Sequence, residues 1–211
     1  MPRQHRFALG PRFSEQPVVV APLPDLQQLP TEHLRKRLAR QLALERIHAL
    51  AKRRAQPGVQ VEGGGPRLDA EPVWYDPRND VALLRVPAVE SVPALELNVN
   101  ARPGASAAIL GFPGNGPYDV QAGRLGRTQT IRTEDAYGRG PVERRITALR
   151  GRVRSGNSGG PMVDGRGRVV TTIFAASVGS GGRTGFGVPD SVVQDALARA
   201  EGPVGTGACA H

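Results

Sequence analysis

Ser158 sits in Gly156-Asn157-Ser158-Gly159-Gly160-Pro161, where one small hydroxyl is surrounded by backbone with almost no side chains. A serine hydroxyl is a poor nucleophile unless a base takes its proton, a third group orients that base, and donors face the oxygen that becomes negative. Glycines at 156, 159 and 160 serve the last need, because they let N–H groups converge and a substrate carbonyl come close. The chemistry implied is acyl transfer through a serine ester. The same letters fit the Gly-x-Ser-x-Gly elbow of α/β-hydrolases, where the serine lies between a strand and a helix. Here Pro161 and a strand–turn–strand pattern follow, so the elbow fails on context. One cysteine and unclustered histidines give no metal-ligand spacing, and no phosphate loop opens a helix. No cofactor is expected.

The elements that must hold this loop change character near Pro57. Residues 1–56 carry 11 Lys/Arg against 4 Asp/Glu and a single glycine; residues 57–211 carry 17 against 15 and 26 glycines. In the first part, Leu34, Leu38, Leu42, Ile47 and Leu50 recur at near-helical intervals without Gly or Pro, predicting a basic amphipathic helix over 31–56. Pro17, Pro22, Pro24 and Pro30 before it predict an extended linker. After Pro57 the pattern is of strands and turns. Residues 59–75 read as strand, glycine turn and strand, and 80–86 as a buried strand with Asp80 at its head. Residues 87–104 lack periodicity and read as a crossover, while 105–111 and 143–153 read as strands. Residues 161–178 read as a hairpin turning at Asp164-Gly165, and 184–189 as a last short strand. A terminal helix is predicted over 190–200, with Asp190 as its N-cap. Short strands with one closing helix predict an all-β sandwich or a pair of barrels.

At this point the residues resemble a known family. Gly156-Asn157-Ser158-Gly159-Gly160-Pro161 is similar to the nucleophile loop of the trypsin-like, chymotrypsin-fold serine proteases, and Asn79-Asp80-Val81-Ala82-Leu83-Leu84 to their acid motif. A finer resemblance is to the actinobacterial membrane-anchored periplasmic proteases of acid resistance, carried by "YDPRNDVALLRVP", "LGFPGNGPY", "RGRVRSGNSGGPMV", "TGFGV" and "VGTGAC". The resemblance implies an all-β chymotrypsin-like double barrel over residues 57–211, with Ser158 as nucleophile and Asp80 as the acid that orients the base. It implies an oxyanion hole at Gly156, Asn157 and Ser158, built from the N–H groups of Gly156 and Ser158. Residues 173–178, with Phe174, Ala175, Ala176 and Ser177, would pair with substrate backbone, and the neighbourhood of Arg152 would floor the specificity pocket.

The family's Thr-x-Ala-His segment is missing. Of His5, His33, His48 and His211, only His48 stands at a workable distance, 32 residues before Asp80, and it is taken as the base. In the resembling proteases the terminal cysteine pairs with one in the first barrel, and Cys209 has no such partner here. Both departures fall on residues 1–56, so this segment is expected to be a replaced or misassigned protease N-terminus. The domains expected are 1–56, an atypical linker with the basic helix; 57–97, a remnant of the first barrel; and 98–211, the second barrel with its helix and tail.

Net charge is +9, concentrated in the first 56 residues. Arg35, Lys36, Arg37, Arg40, Arg46, Lys52, Arg53 and Arg54 could hold nucleic acid or an anionic membrane. The helix has no aromatic residue to stack on bases, so nucleic acid is not expected as a partner. No run of eighteen apolar residues and no signal-peptide core occur, so membrane attachment would need a segment absent from this chain. The resemblance implies a periplasmic or extracellular location. Oligomeric state is not legible. The function expected is that of a serine endopeptidase acting on proteins or peptides through an acyl-enzyme on Ser158. The alternative is a catalytically impaired trypsin-like domain, a pseudoprotease or truncated gene product, that binds extended peptides.

Overall fold

A computed structural model describes residues 18–20, 58–60, 66–90, 92–176 and 183–207, the first two segments as backbone only. The helix expected over 31–56, all four histidines, Ser177 and Cys209 lie outside the described residues. The first half contributes β1 (Val18–Val20), β2 (Gly58–Gln60), β3 (Arg67–Asp69), β4 (Glu71–Asp76) and β5 (Val81–Arg85). Strand β5 is apolar at four successive positions because it is central, and all four are buried. Antiparallel β4 flanks it on one side and parallel β1 on the other. Val18–Val20 was expected in a linker; its β-branched run instead extends the sheet, with Val18 opposite Val81. The single strand expected up to residue 75 divides at Ala70, β3 pairing with β2 and β4 with β5. Among the described residues this half forms no closed barrel.

The second half closes. Strands β6 (Ser106–Gly111), β7 (Asp119–Thr133), β8 (Val142–Gly151), β9 (Pro161–Asp164), β10 (Val169–Ala176) and β11 (Thr184–Val188) form a barrel in the order β10-β11-β8-β7-β6-β9. Ile109, Leu125, Leu149, Val153, Met162, Val170 and Ile173 fill its interior. Closure removes the unpaired edges that an open sheet would expose. Strand β7, 15 residues long, is absent from the sequence reading, because most of its outer half is exposed and carries no apolar alternation. Beyond the register shift between Leu125 and Thr128 and the last β11 pair at Thr147, β7 and β8 pair as a two-stranded ribbon from Gln129–Ile146 to Thr133–Val142.

Helix α1 (Asp190–Arg199) joins the halves. Its Val193 and Ala196 are buried against Val73, Val81 and Leu83 of the first sheet and Val188 of the barrel. One correction concerns its start. Pro189 is the N-cap residue, and Asp190 is the first helical residue, buried and without a capping hydrogen bond. The hairpin turn also differs from a two-residue Asp164-Gly165 turn. Residues 165–168 form a longer loop whose left-handed residue is Gly167, and the Asp164 carboxylate accepts the N–H groups of Arg166 and Arg168.

Candidate active site

The loop between β8 and β9 is built from its own hydrogen bonds. Asn157 is 1% exposed; its N–H donates to the Arg154 carbonyl at 3.0 Å, and its Oδ1 accepts the Arg154 N–H at 2.9 Å. The Gly159 N–H donates to the Ile173 carbonyl at 2.7 Å and the Gly160 N–H to the Asn157 carbonyl at 3.0 Å. From Gly156 to Gly160, that leaves the N–H groups of Gly156 and Ser158 without an acceptor among the described residues. Asn157 thus stands in the expected oxyanion-hole segment without a free N–H of its own. Its amide and side chain fold the loop, and the two remaining donors are those of its neighbours.

The glycines turn out to serve the protein's own backbone as much as a substrate. A Cβ on Gly156 would lie 2.6 Å from the Phe112 carbonyl oxygen, and one on Gly160 would lie 2.5 Å from that of Leu110. The loop is thus pressed against the end of β6, and φ of +91° at Gly156 and +81° at Gly159 bend it there. At its apex the Ser158 side chain is exposed, with its hydroxyl donating to the Phe174 carbonyl at 3.2 Å. The Phe174 ring faces elsewhere, packed on the cluster that holds Val81 and Leu83. Phe174 thus meets the serine through its backbone, a partnership that its side-chain type could not signal. The pairing of β10 with β9 ends at Thr172, and at Ala175 and Ala176 the ladder runs to β11 alone.

Asp80 lies at the end of a turn over residues 77–80, 4% exposed, with φ of 58°. It is the one non-glycine residue with positive φ among the described residues, a conformation costing about 1–3 kcal/mol that tends to mark functional positions. The turn is shaped by Asp76, whose carboxylate accepts the N–H groups of Arg78 and Asn79 at 3.0 and 3.2 Å and the Asn79 amide at 2.5 Å. Burial, the Tyr137 hydroxyl, and the charges of Asp80 and Asp135 push the Tyr75 hydroxyl well above its ordinary range. Arg152 is exposed, while its neighbour Val153 is buried against Gly185. A Cβ at Gly185 would lie 2.6 Å from Val153 Cγ2 and 3.1 Å from the Ala175 carbonyl oxygen. The structure thus brings Ser158, Gly156, Phe174 and Ala175 together around one loop, whereas His48 and Ser177 lie outside the described residues.

A six-stranded barrel closed behind an exposed serine, with a buried acid on a sheet packed beside it, is the frame of a chymotrypsin-like fold. The family pattern of the trypsin-like peptidase domain matches residues 38–171, and the chain belongs to that family. Serine protease Rv3671c of Mycobacterium tuberculosis (strain ATCC 25618 / H37Rv) is 36% identical over 154 residues, covering 72% of this chain. This chain spans only 38% of that relative's length. The crystal structure of the Rv3671c protease in its active form superposes with a TM-score of 0.66 at 35% identity, covering 74% of this chain and 69% of that one. The HtrA-type protease AlgW with a decapeptide superposes with a TM-score of 0.54 at 25% identity, covering 69% of this chain and 45% of that one.

Proposed function

We propose that the chain is a serine endopeptidase whose nucleophile is Ser158. One observation carries the reading: the exposed Ser158 hydroxyl lies on a loop whose Gly156 and Ser158 N–H groups have no acceptor among the described residues. In the proposed cycle the Ser158 oxygen attacks a peptide carbonyl carbon and its proton passes to the base. The two N–H groups hold the negative oxygen of the tetrahedral intermediate. The C–N bond then breaks, the amine leaves with that proton, and an ester on Ser158 remains. Water, deprotonated by the same base, hydrolyses the ester and returns the serine.

His48 is assigned as the base and Asp80 as its orienting acid; the matched family range of 38–171 includes both. The β10 edge at Ala175 and Ala176, with β11 on one side only, suits pairing with an extended peptide. The neighbourhood of Arg152 is assigned to the floor of the specificity pocket, where Arg152 itself is exposed and Val153 beside it is buried. The domain division at 57 and 98, and a periplasmic or extracellular location, rest on the family resemblance. Among the described residues, no helix is long and apolar enough to cross a membrane.

A fluorophosphonate probe tests the reading. Labelling is expected for the wild-type chain and lost in Ser158→Ala and His48→Ala, with all three folded. A folded wild-type sample that stays unlabelled rejects it. The second reading, peptide binding without turnover, is favoured by the same β10 edge. Saturable binding of an extended peptide by an unlabelled wild-type chain would establish it.

A further inference from the structure

The ribbon made by the outer parts of β7 and β8 touches both halves of the proposed catalytic apparatus. At its tip, the Ala136 N–H donates to the Pro77 carbonyl at 2.8 Å, at the start of the turn that ends in Asp80. From that turn, Arg78 Nε donates back to the Glu143 carbonyl on β8 at 2.7 Å. The tip is held in shape by Asp135, whose carboxylate accepts the N–H groups of Tyr137 and Arg139 at 2.9 Å each and Arg139 Nε at 3.1 Å. One residue along from Glu143, the buried Arg144 guanidinium lies 4.6 Å above the centre of the Phe174 ring. Phe174 in turn supplies the carbonyl to which the Ser158 hydroxyl donates.

We propose that the β7–β8 ribbon is the positioning device that registers Asp80 against Ser158, with Arg78 and Arg144 as its positioning residues. The inference rests on the serine-protease reading and goes beyond it. Asp80 closes the turn that joins β4 to β5, so its position follows from whatever holds that turn. Two cross-links from the closed barrel, one in each direction, hold it. A group held within a fraction of an ångström matters because a displacement of about 1 Å can cost ~100-fold in rate.

The test uses the full chain with Arg78→Met, Arg78→Lys and Arg144→Met. The first readout, amide hydrogen exchange over residues 76–82, does not depend on activity. The second is the rate of fluorophosphonate labelling of Ser158 against pH. In Arg78→Met, exchange over this turn is expected to accelerate about tenfold or more. Labelling should slow roughly 10- to 100-fold, and the midpoint of its acid limb should move to lower pH, because a displaced carboxylate no longer stabilises the protonated base. Arg78→Lys, which keeps a donor, should recover part of both. Arg144→Met is expected to slow labelling with the acid limb unmoved, since it acts on the serine side. Unchanged exchange and an unchanged acid limb in folded Arg78→Met overturn the proposal. So does a rate loss that follows the melting temperature alone. If the wild type is not labelled at all, the protease reading fails, and the exchange experiment by itself decides whether the ribbon holds the turn.

Discussion

Gly156 and Asp80 both adopt left-handed backbone, at φ of +91° and 58°. For Gly156 the reason is steric. The peptide must turn while its Cα passes the Phe112 carbonyl, so a side chain has neither the angle nor the space. Gly156→Ala should therefore rotate the peptide and remove an oxyanion donor, slowing fluorophosphonate labelling by about 10²–10³-fold. Its stability cost should be about 1–3 kcal/mol by urea denaturation. Full-rate labelling in this variant would remove Gly156 from the oxyanion hole. Ser158 and its glycines were legible as residue types. What Asn157 does between them was not legible, because whether an amide faces a substrate or its own loop is a question of hydrogen-bond geometry that composition does not encode.

Helix α1 carries an acid in an unusual setting. Burial raises the Asp190 carboxyl to about 7, and the nearby Asn98 N–H, itself donated to the Val169 carbonyl at 2.7 Å, counters this only weakly. A carboxyl near 7 in the folded chain and 3.8 in the unfolded one binds more protons when folded across that interval. Stability is therefore expected to fall as pH rises from about 4 to about 7 and then to level off, by an amount on the order of 4 kcal/mol. Asp190→Asn should flatten the dependence and be the more stable form at pH 8. Urea midpoints at pH 5 and pH 8 for both chains measure it, and parallel curves would contradict it. The sequence placed this aspartate at a helix start correctly. It could not show that Pro189 caps the helix or that the carboxylate is turned toward the core. Strand β7 escaped notice for a related reason: a ribbon that buries little has no alternating pattern to read.

Across the whole molecule, the two halves are joined by more than α1. The Val204 N–H donates to the Pro72 carbonyl on β4 at 2.8 Å, and the Tyr137 hydroxyl at the ribbon tip donates to the Thr206 carbonyl. Tyr137 also meets Tyr75 edge-on, with ring centroids 6.1 Å apart. The stretch after α1 therefore ties β4 to the ribbon. Ending the chain after Ala200 removes both hydrogen bonds, worth about 1–2 kcal/mol together, and should lower the melting temperature by roughly 3–6 °C. Faster amide exchange in β4 should accompany the shift. An unchanged melting curve would mean that the tail only rests on the surface.

The sequence by itself determined the chemistry on offer: a hydroxyl in a bare loop, an acid at the head of an apolar strand, and strands enough for a barrel. These features are local, since glycine spacing, a continuous apolar run and turn residues act on their neighbours in the chain. The tertiary structure decided which N–H groups the Ser158 loop keeps for itself, which carbonyl receives the hydroxyl, and how the Asp80 turn meets a ribbon 65 residues away in sequence, through Arg78 and Glu143. Those outcomes depend on register between strands distant in the chain. No single stretch of residues contains that information, because both partners of each contact must first be brought together by the closing of the barrel.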